Sequence, residues 1–110
     1  MADPADGLQR VIAVLRNDYA SALPGKIAEI EELWQRLLAG EAPTAELEDL
    51  ARMVHGIAGS GATFGLAAAS DAARELGRFL APIRAAGRLP GTVERNRVAV
   101  LIATLKQAAP

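Results

Sequence analysis

His55 is the single histidine in the chain, which contains no cysteine. Imidazole has an ordinary pKa of about 6.5, so at neutral pH it is mostly uncharged and keeps a free lone pair on one ring nitrogen. That makes His55 the side chain best suited to act as a nucleophile. Covalent catalysis through histidine suits attack on a phosphoryl group, a transfer governed by positioning and charge neutralisation more than by a strong base. The absence of cysteine removes a disulfide scaffold, a thiolate zinc site and a cysteine nucleophile. One histidine, with no loop dense in carboxylates, offers no metal-ligand set.

The spacing around His55 supports a site. At 100° per residue with Leu47 at zero, the apolar positions of this segment span about 280° to 40°, and His55 falls at about 80°, on the rim. Glu48, Gly59 and Arg52 share that strip at about 100°, 120° and 140°. His55 thus has a residue without a side chain one turn ahead and a cation most of a turn behind. Gly59 leaves room for another protein's loop to approach the ring. Gly56, Gly59 and Gly61 together cost a helix about 2 to 3 kcal/mol in propensity, and unfavourable local choices of this kind collect at functional sites. Gly56, near 180° on the other side, has no evident use in this pattern. Arg52, Arg74 and Arg78 are the candidate cations for a transferring phosphoryl group, although Arg52 is also spaced to form a solvated i, i+4 pair with Glu48. Ser60 lies about 140° around the helix from His55, so a Ser–His catalytic pair is unattractive and a tight helix contact is the better reading.

The elements that must hold this strip are all helical. Leu8, Val11, Ile12, Leu15 and Tyr19 predict a short first helix with Asp6 as its cap, interrupted by Pro24-Gly25. A second helix, from about Ala22 to Leu38, places Leu23, Ile27, Ile30, Trp34 and Leu37 on one stripe and ends at Gly40. Pro43-Thr44 opens a third, with Leu47, Leu50, Ala51, Val54, Ile57 and Ala58 as its buried face and acidic residues in its early turns. Gly59 to Gly65 strains and then breaks it. A fourth helix starts near Leu66 and carries Ala69, Ala73, Leu76, Leu80 and Ile83, with Pro82 threatening a kink. Thr92 is expected to cap a last helix with Val98, Leu101, Ile102 and Leu105 inward, before a fraying Ala108-Ala109-Pro110 tail. Phe64, Trp34 and Tyr19 read as core anchors. The fold expected is all-α: an antiparallel four-helix bundle with a short additional N-terminal helix, as a single domain over residues 1–110.

Composition narrows the function. The chain of 110 residues is 51% hydrophobic but only 4% aromatic, so Ala, Leu, Val and Ile must build a closely packed helical core. Its 12 basic and 13 acidic residues are interspersed, leaving no patch for a phosphate backbone, and nucleic acid is a poor partner. The run Val98 to Ala103 is far short of the roughly 20 residues that span a bilayer, and Met1–Arg10 lacks a basic-then-apolar leader pattern. A cytoplasmic monomer without membrane contact is expected.

The segment His55-Gly-Ile-Ala-Gly59-Ser60-Gly-Ala-Thr-Phe64-Gly65-Leu66 resembles the signature of histidine phosphotransfer (HPt) domains. In that family the phosphorylated histidine is followed by Gly-Ser at i+4 and i+5, and by an apolar residue with Gly at i+9 and i+10. The resemblance extends over nearly the whole chain, because the family fold is a helical bundle of about this length. It implies a phosphorelay carrier whose His55 exchanges a phosphoryl group with a histidine kinase or with the aspartate of a response-regulator receiver domain. It implies no nucleotide site and no cofactor of its own, the magnesium belonging to the receiver. Gly59 would provide clearance, and Ser60 with Phe64-Gly65 the packing and helix break. Arg52, Gly59, Ser60, Ala62 and Arg74 are the residues expected to support the phosphate or the docked partner. Two positions depart from the family. Ala58 stands where Lys or Arg is common, and Gly77 where a polar side chain often bonds the imidazole. A module that docks and sequesters a receiver without being phosphorylated is the alternative reading.

Overall fold

In a computed structural model, which describes residues 3–40 and 43–110, the apolar stripes of the sequence become four helices: α1 (Pro4–Ala39), α2 (Pro43–Thr63), α3 (Ala67–Ala86) and α4 (Thr92–Ala108). Met1 and Ala2, which begin the segment read for a leader, lie outside the described residues. The expected short N-terminal helix is not a separate element: it runs straight into the next one as a single 36-residue helix. Pro24 costs a helix interior about 3 kcal/mol through its missing N–H and its ring. Here Leu23 and Ile27, on either side of it, are both fully buried, and that packing holds the helix through the proline. Asp3 rather than Asp6 is the cap, its carboxylate accepting the Ala5 N–H at 3.1 Å ahead of Pro4.

Successive helices pack side by side and antiparallel, α1 on α2, α2 on α3, α3 on α4, and α4 back on α1. Contacts between them fix the register. The rings of Tyr19 and Phe64 sit 5.3 Å apart at one end of the α1–α2 pair. Arg84 reaches Glu48 across α3–α2 at 2.7 Å, Arg97 reaches Glu75 across α4–α3 at 3.0 Å, and Lys106 reaches Glu31 across α4–α1 at 3.3 Å. All of these pairs are exposed and contribute little to stability. The core comes from the stripes, including Leu23, Ile30, Leu50, Val54, Leu76, Leu80, Val98 and Leu105, while Ala51 is only half-buried. Gly40 and Gly87 close α1 and α3 in the left-handed region, at φ of 77° and 62°.

Helix α2 runs through Gly59 and Gly61 to Thr63 and breaks at the expected Phe64-Gly65, where Gly65 has a φ of 73°. Two further details differ from the sequence expectation. Gly91, not Thr92, caps α4, and the Glu94 carboxylate accepts the Gly91 N–H at 2.9 Å. Ala108 and Ala109 pack against the core instead of fraying. Among the described residues no helix is long and apolar enough to cross a membrane. The molecule measures 60 × 22 × 21 Å, because α1 outruns its neighbours.

Candidate functional site

Helix α2 presents three kinds of surface. Leu47, Leu50, Val54 and Ile57 face the core, Met53 and Ser60 face α1, and His55 faces outward on the α3 side. The imidazole is exposed and lies at the rim of a groove of about 330 Å³ between α2 and α3. The floor of that groove is small: Ala51 and Ala58 on α2, Ala73, Gly77 and Ala81 on α3. Its walls are basic, formed by Arg74, Arg78 and Arg84 of α3. An exposed imidazole thus stands beside cations on a neighbouring helix, with no bulky side chain between them.

The three arginines differ in how far they are already committed. Arg84 donates to Glu48 at 2.7 Å and holds that carboxyl below the ordinary carboxylate range, so its charge is largely answered. Arg74 lies 3.6 Å from Asp71, too far for a good hydrogen bond. Arg78 has no ion pair among the described residues. Arg74 and Arg78 are one helical turn apart and so share a face of α3.

The other sequence candidates are distributed as follows. Arg52 is bonded to Asp49 on its own helix and does not line the groove. Gly59 is exposed one turn after His55, and a Cβ built there would meet nothing within 4 Å. Ser60 is turned the other way, into a second groove with Tyr19, Lys26 and Glu29. Burial pushes the Tyr19 phenol above its ordinary pKa, an effect the nearby Ser60 hydroxyl partly offsets. Ala62 is exposed near the end of α2, two turns beyond His55. The structure therefore gathers His55, Arg74 and Arg78 into one groove, and sets Arg52, Ser60 and Ala62 outside it.

Gly61 and Ser70 have a part that no pattern in the sequence signalled beyond their small size. A Cβ at Gly61 would lie 3.2 Å from the Ser70 backbone nitrogen and 3.2 Å from its Cβ, so α2 and α3 touch at this point. The buried Ser70 hydroxyl donates to the Ala58 carbonyl at 2.7 Å. Gly77, two turns along α3, faces Val54, its own virtual Cβ 3.5 Å from a Val54 methyl. These contacts fix the α2 backbone on both sides of His55 while its side chain stays free. No group of three or more His, Cys, Asp or Glu residues able to hold a metal ion occurs among the described residues.

The sequence profile of the Hpt domain family matches residues 14–109. Comparison with curated proteins and with solved structures returned no match.

Proposed function

Because the chain belongs to the Hpt domain family, whose members carry out histidine phosphotransfer in phosphorelays, we propose that His55 is its phosphoacceptor and that it exchanges phosphoryl groups with receiver-domain aspartates and a histidine kinase. The observation carrying this is the exposed imidazole at the rim of the α2–α3 groove, beside two arginines that are not tightly paired. In the forward step the unprotonated ring nitrogen attacks the phosphorus of an aspartyl phosphate. A P–N bond forms, the P–O bond to the carboxylate breaks, and the carboxylate leaves with the electron pair. The other ring nitrogen keeps its proton. Charge on the transferring oxygens is met by Arg78 and by Arg74 released from Asp71, from α3 instead of from position 58 on α2. Gly59 admits the receiver's loop, while Arg52 and Ala62 belong to the surface the receiver covers. Ser60 supports the site from behind, as a small residue where α2 packs beside Tyr19 of α1. Magnesium, where used, is the receiver's, and the relay places the protein in the cytoplasm.

The test is phosphoryl transfer from a panel of phosphorylated receiver domains to the wild type and to His55→Gln. Acid-labile, base-stable label on the wild type alone is expected. Ala58 and Gly77, which put no cation at position 58 of α2 and no polar side chain at position 77 of α3, favour the second reading, a docking module that is not phosphorylated. Retained receiver binding without label would establish that reading in place of the first.

A further inference from the structure

Ser70 is the most deeply buried polar side chain among the described residues, at 2% exposure, and the proposed transfer chemistry makes no use of it. Its hydroxyl donates to the Ala58 carbonyl at 2.7 Å, across the α2–α3 contact and twelve positions back in the chain. Neither helix needs that bond in order to form. α2 is regular helix through Ala58, so the carbonyl already has the N–H four residues on as its donor. Alanine is the better helix former, brings no polar atom to bury, and stands at 67, 68, 69, 72 and 73 around this position. A mid-helix serine also has a local acceptor in the carbonyl one turn before it, yet this one reaches to another helix. A hydroxyl where alanine would serve stability as well is a local choice of the kind that collects at functional sites.

What the bond holds is the register of α3 against α2. Ser70 touches Gly61, Gly77 faces Val54 and Arg84 meets Glu48, so the two helices run antiparallel and in step along their contact. His55, next to Val54, is therefore level with Leu76, midway between Arg74 and Arg78, each about 3 Å away along the axis at 1.5 Å per residue. Sliding α3 by one residue would bring one guanidinium level with the ring and carry the other away from it. Small residues in contact, such as Gly61 and Gly77, set how closely the helices approach but resist sliding weakly, whereas a hydrogen bond is directional and resists it. Ser70 lies on the same face of α3 as the two arginines, one and two turns before them, and does not line the groove itself. Resting on the reading of His55 as the phosphoacceptor, we infer that Ser70 is a positioning residue for transfer: its bond to Ala58 sets the axial register that puts His55 between the two cations.

Single-turnover transfer from a phosphorylated receiver domain, followed over receiver concentration, tests this in the wild type, Ser70→Ala, Arg74→Ala/Arg78→Ala and the variant carrying all three substitutions. Ser70→Ala is expected to melt within about 5 °C of the wild type, since the lost bond and the gained propensity oppose each other. Its saturating rate should fall about 5-fold, as for a small misplacement of the charges around the ring. The half-saturating receiver concentration should not change, because position 70 is buried away from any docked partner. In the background without the two arginines the serine substitution should cost nothing further, there being no cations left to misplace. A labelled wild type with Ser70→Ala equally fast overturns the inference and leaves the reading of His55 standing. A loss of the same size in both backgrounds also overturns it, placing the effect of the hydroxyl in α2 itself or in overall stability. A change confined to the half-saturating concentration overturns it by placing the effect in docking. No label on the wild type from any receiver of a panel removes the reading of His55, and this inference with it.

Discussion

Replacing Gly56, Gly59 and Gly61 with alanine, one at a time, separates three uses of glycine within six residues of one helix. Alanine in place of an interior helical glycine is favourable by about 1 kcal/mol where nothing opposes the new methyl. Gly56 and Gly59 meet that condition, with no atom within 4 Å of a built Cβ. Each substitution should therefore raise the melting temperature by about 4 °C for a domain of this size. At Gly61 the methyl would lie 3.2 Å from the Ser70 backbone nitrogen, which cannot give way without moving α3. Overpacking of that kind costs about 1 to 3 kcal/mol, so the net effect is a loss of up to about 2 kcal/mol after the propensity gain. Activity divides the series differently. Gly59→Ala puts a methyl one turn from the imidazole, where a receiver loop must come close, and phosphoryl transfer should fall on the order of tenfold, about 1.4 kcal/mol in the barrier. Gly56→Ala should transfer at the wild-type rate. Thermal melts by circular dichroism and single-turnover transfer to or from one receiver read both axes. A Gly61→Ala protein more stable than wild type would refute the close α2–α3 contact. A Gly59→Ala protein with undiminished transfer would refute the role of clearance.

Two further outcomes follow from the charges. Arg78→Ala and Arg74→Ala should each slow transfer about 5- to 20-fold, as loss of a charge-assisted contact to the phosphoryl oxygens, with Arg52→Ala close to wild type; equal effects of all three in the transfer assay would remove the case for α3 as the source of charge. Arg88 and the Gly91 N–H hold the Glu94 carboxyl below its ordinary pKa, so its stabilising contribution is present above the unfolded value near 4.5 and lost as pH falls through the lower folded value. Glu94→Gln should accordingly melt below wild type at pH 7, and the gap should close toward pH 3 when melts are compared across that range.

The helical stripes were readable because burial follows period. Ile27, Trp34, Leu50, Val54, Leu76 and Leu101 are buried where a 3.6-residue repeat puts them. The rim position of His55 follows from the same arithmetic and needs no knowledge of α3. What could not be read depends on a second element. Pro24 breaks a helix in isolation and does not here, because the packing on both sides of it is a tertiary property. Which arginine faces His55 turns on the register between α2 and α3, which Ser70, Gly61 and Gly77 determine through contacts to residues more than eight positions away. Arg52, closest in sequence, is drawn to Asp49 instead.

The glycines and alanines of this region resolve a conflict between rigidity and access. A phosphoryl carrier must hold its imidazole on a fixed backbone, since positioning supplies much of the rate, yet must present that ring to partners whose own loops arrive from solvent. Large side chains on α2 would fix the backbone by burial but would also wall in the histidine. The chain instead places its small residues on two sides for opposite purposes. Gly61 and Gly77 bring α3 close enough for Ser70 to bond the Ala58 carbonyl, so the backbone flanking His55 is held from within. Gly59 strips the outward face one turn beyond His55, where no side chain then competes for the space around the ring. The helix-propensity loss at Gly56 and Gly59 is about 2 kcal/mol, and the close α2–α3 contact is what allows α2 to bear it. Moving the cation to α3 fits the same scheme. A lysine at position 58 would stand on the helix whose face must stay clear, whereas Arg74 and Arg78 line the far side of the groove and, in the proposed role of His55, would meet the phosphate from there and leave α2 open.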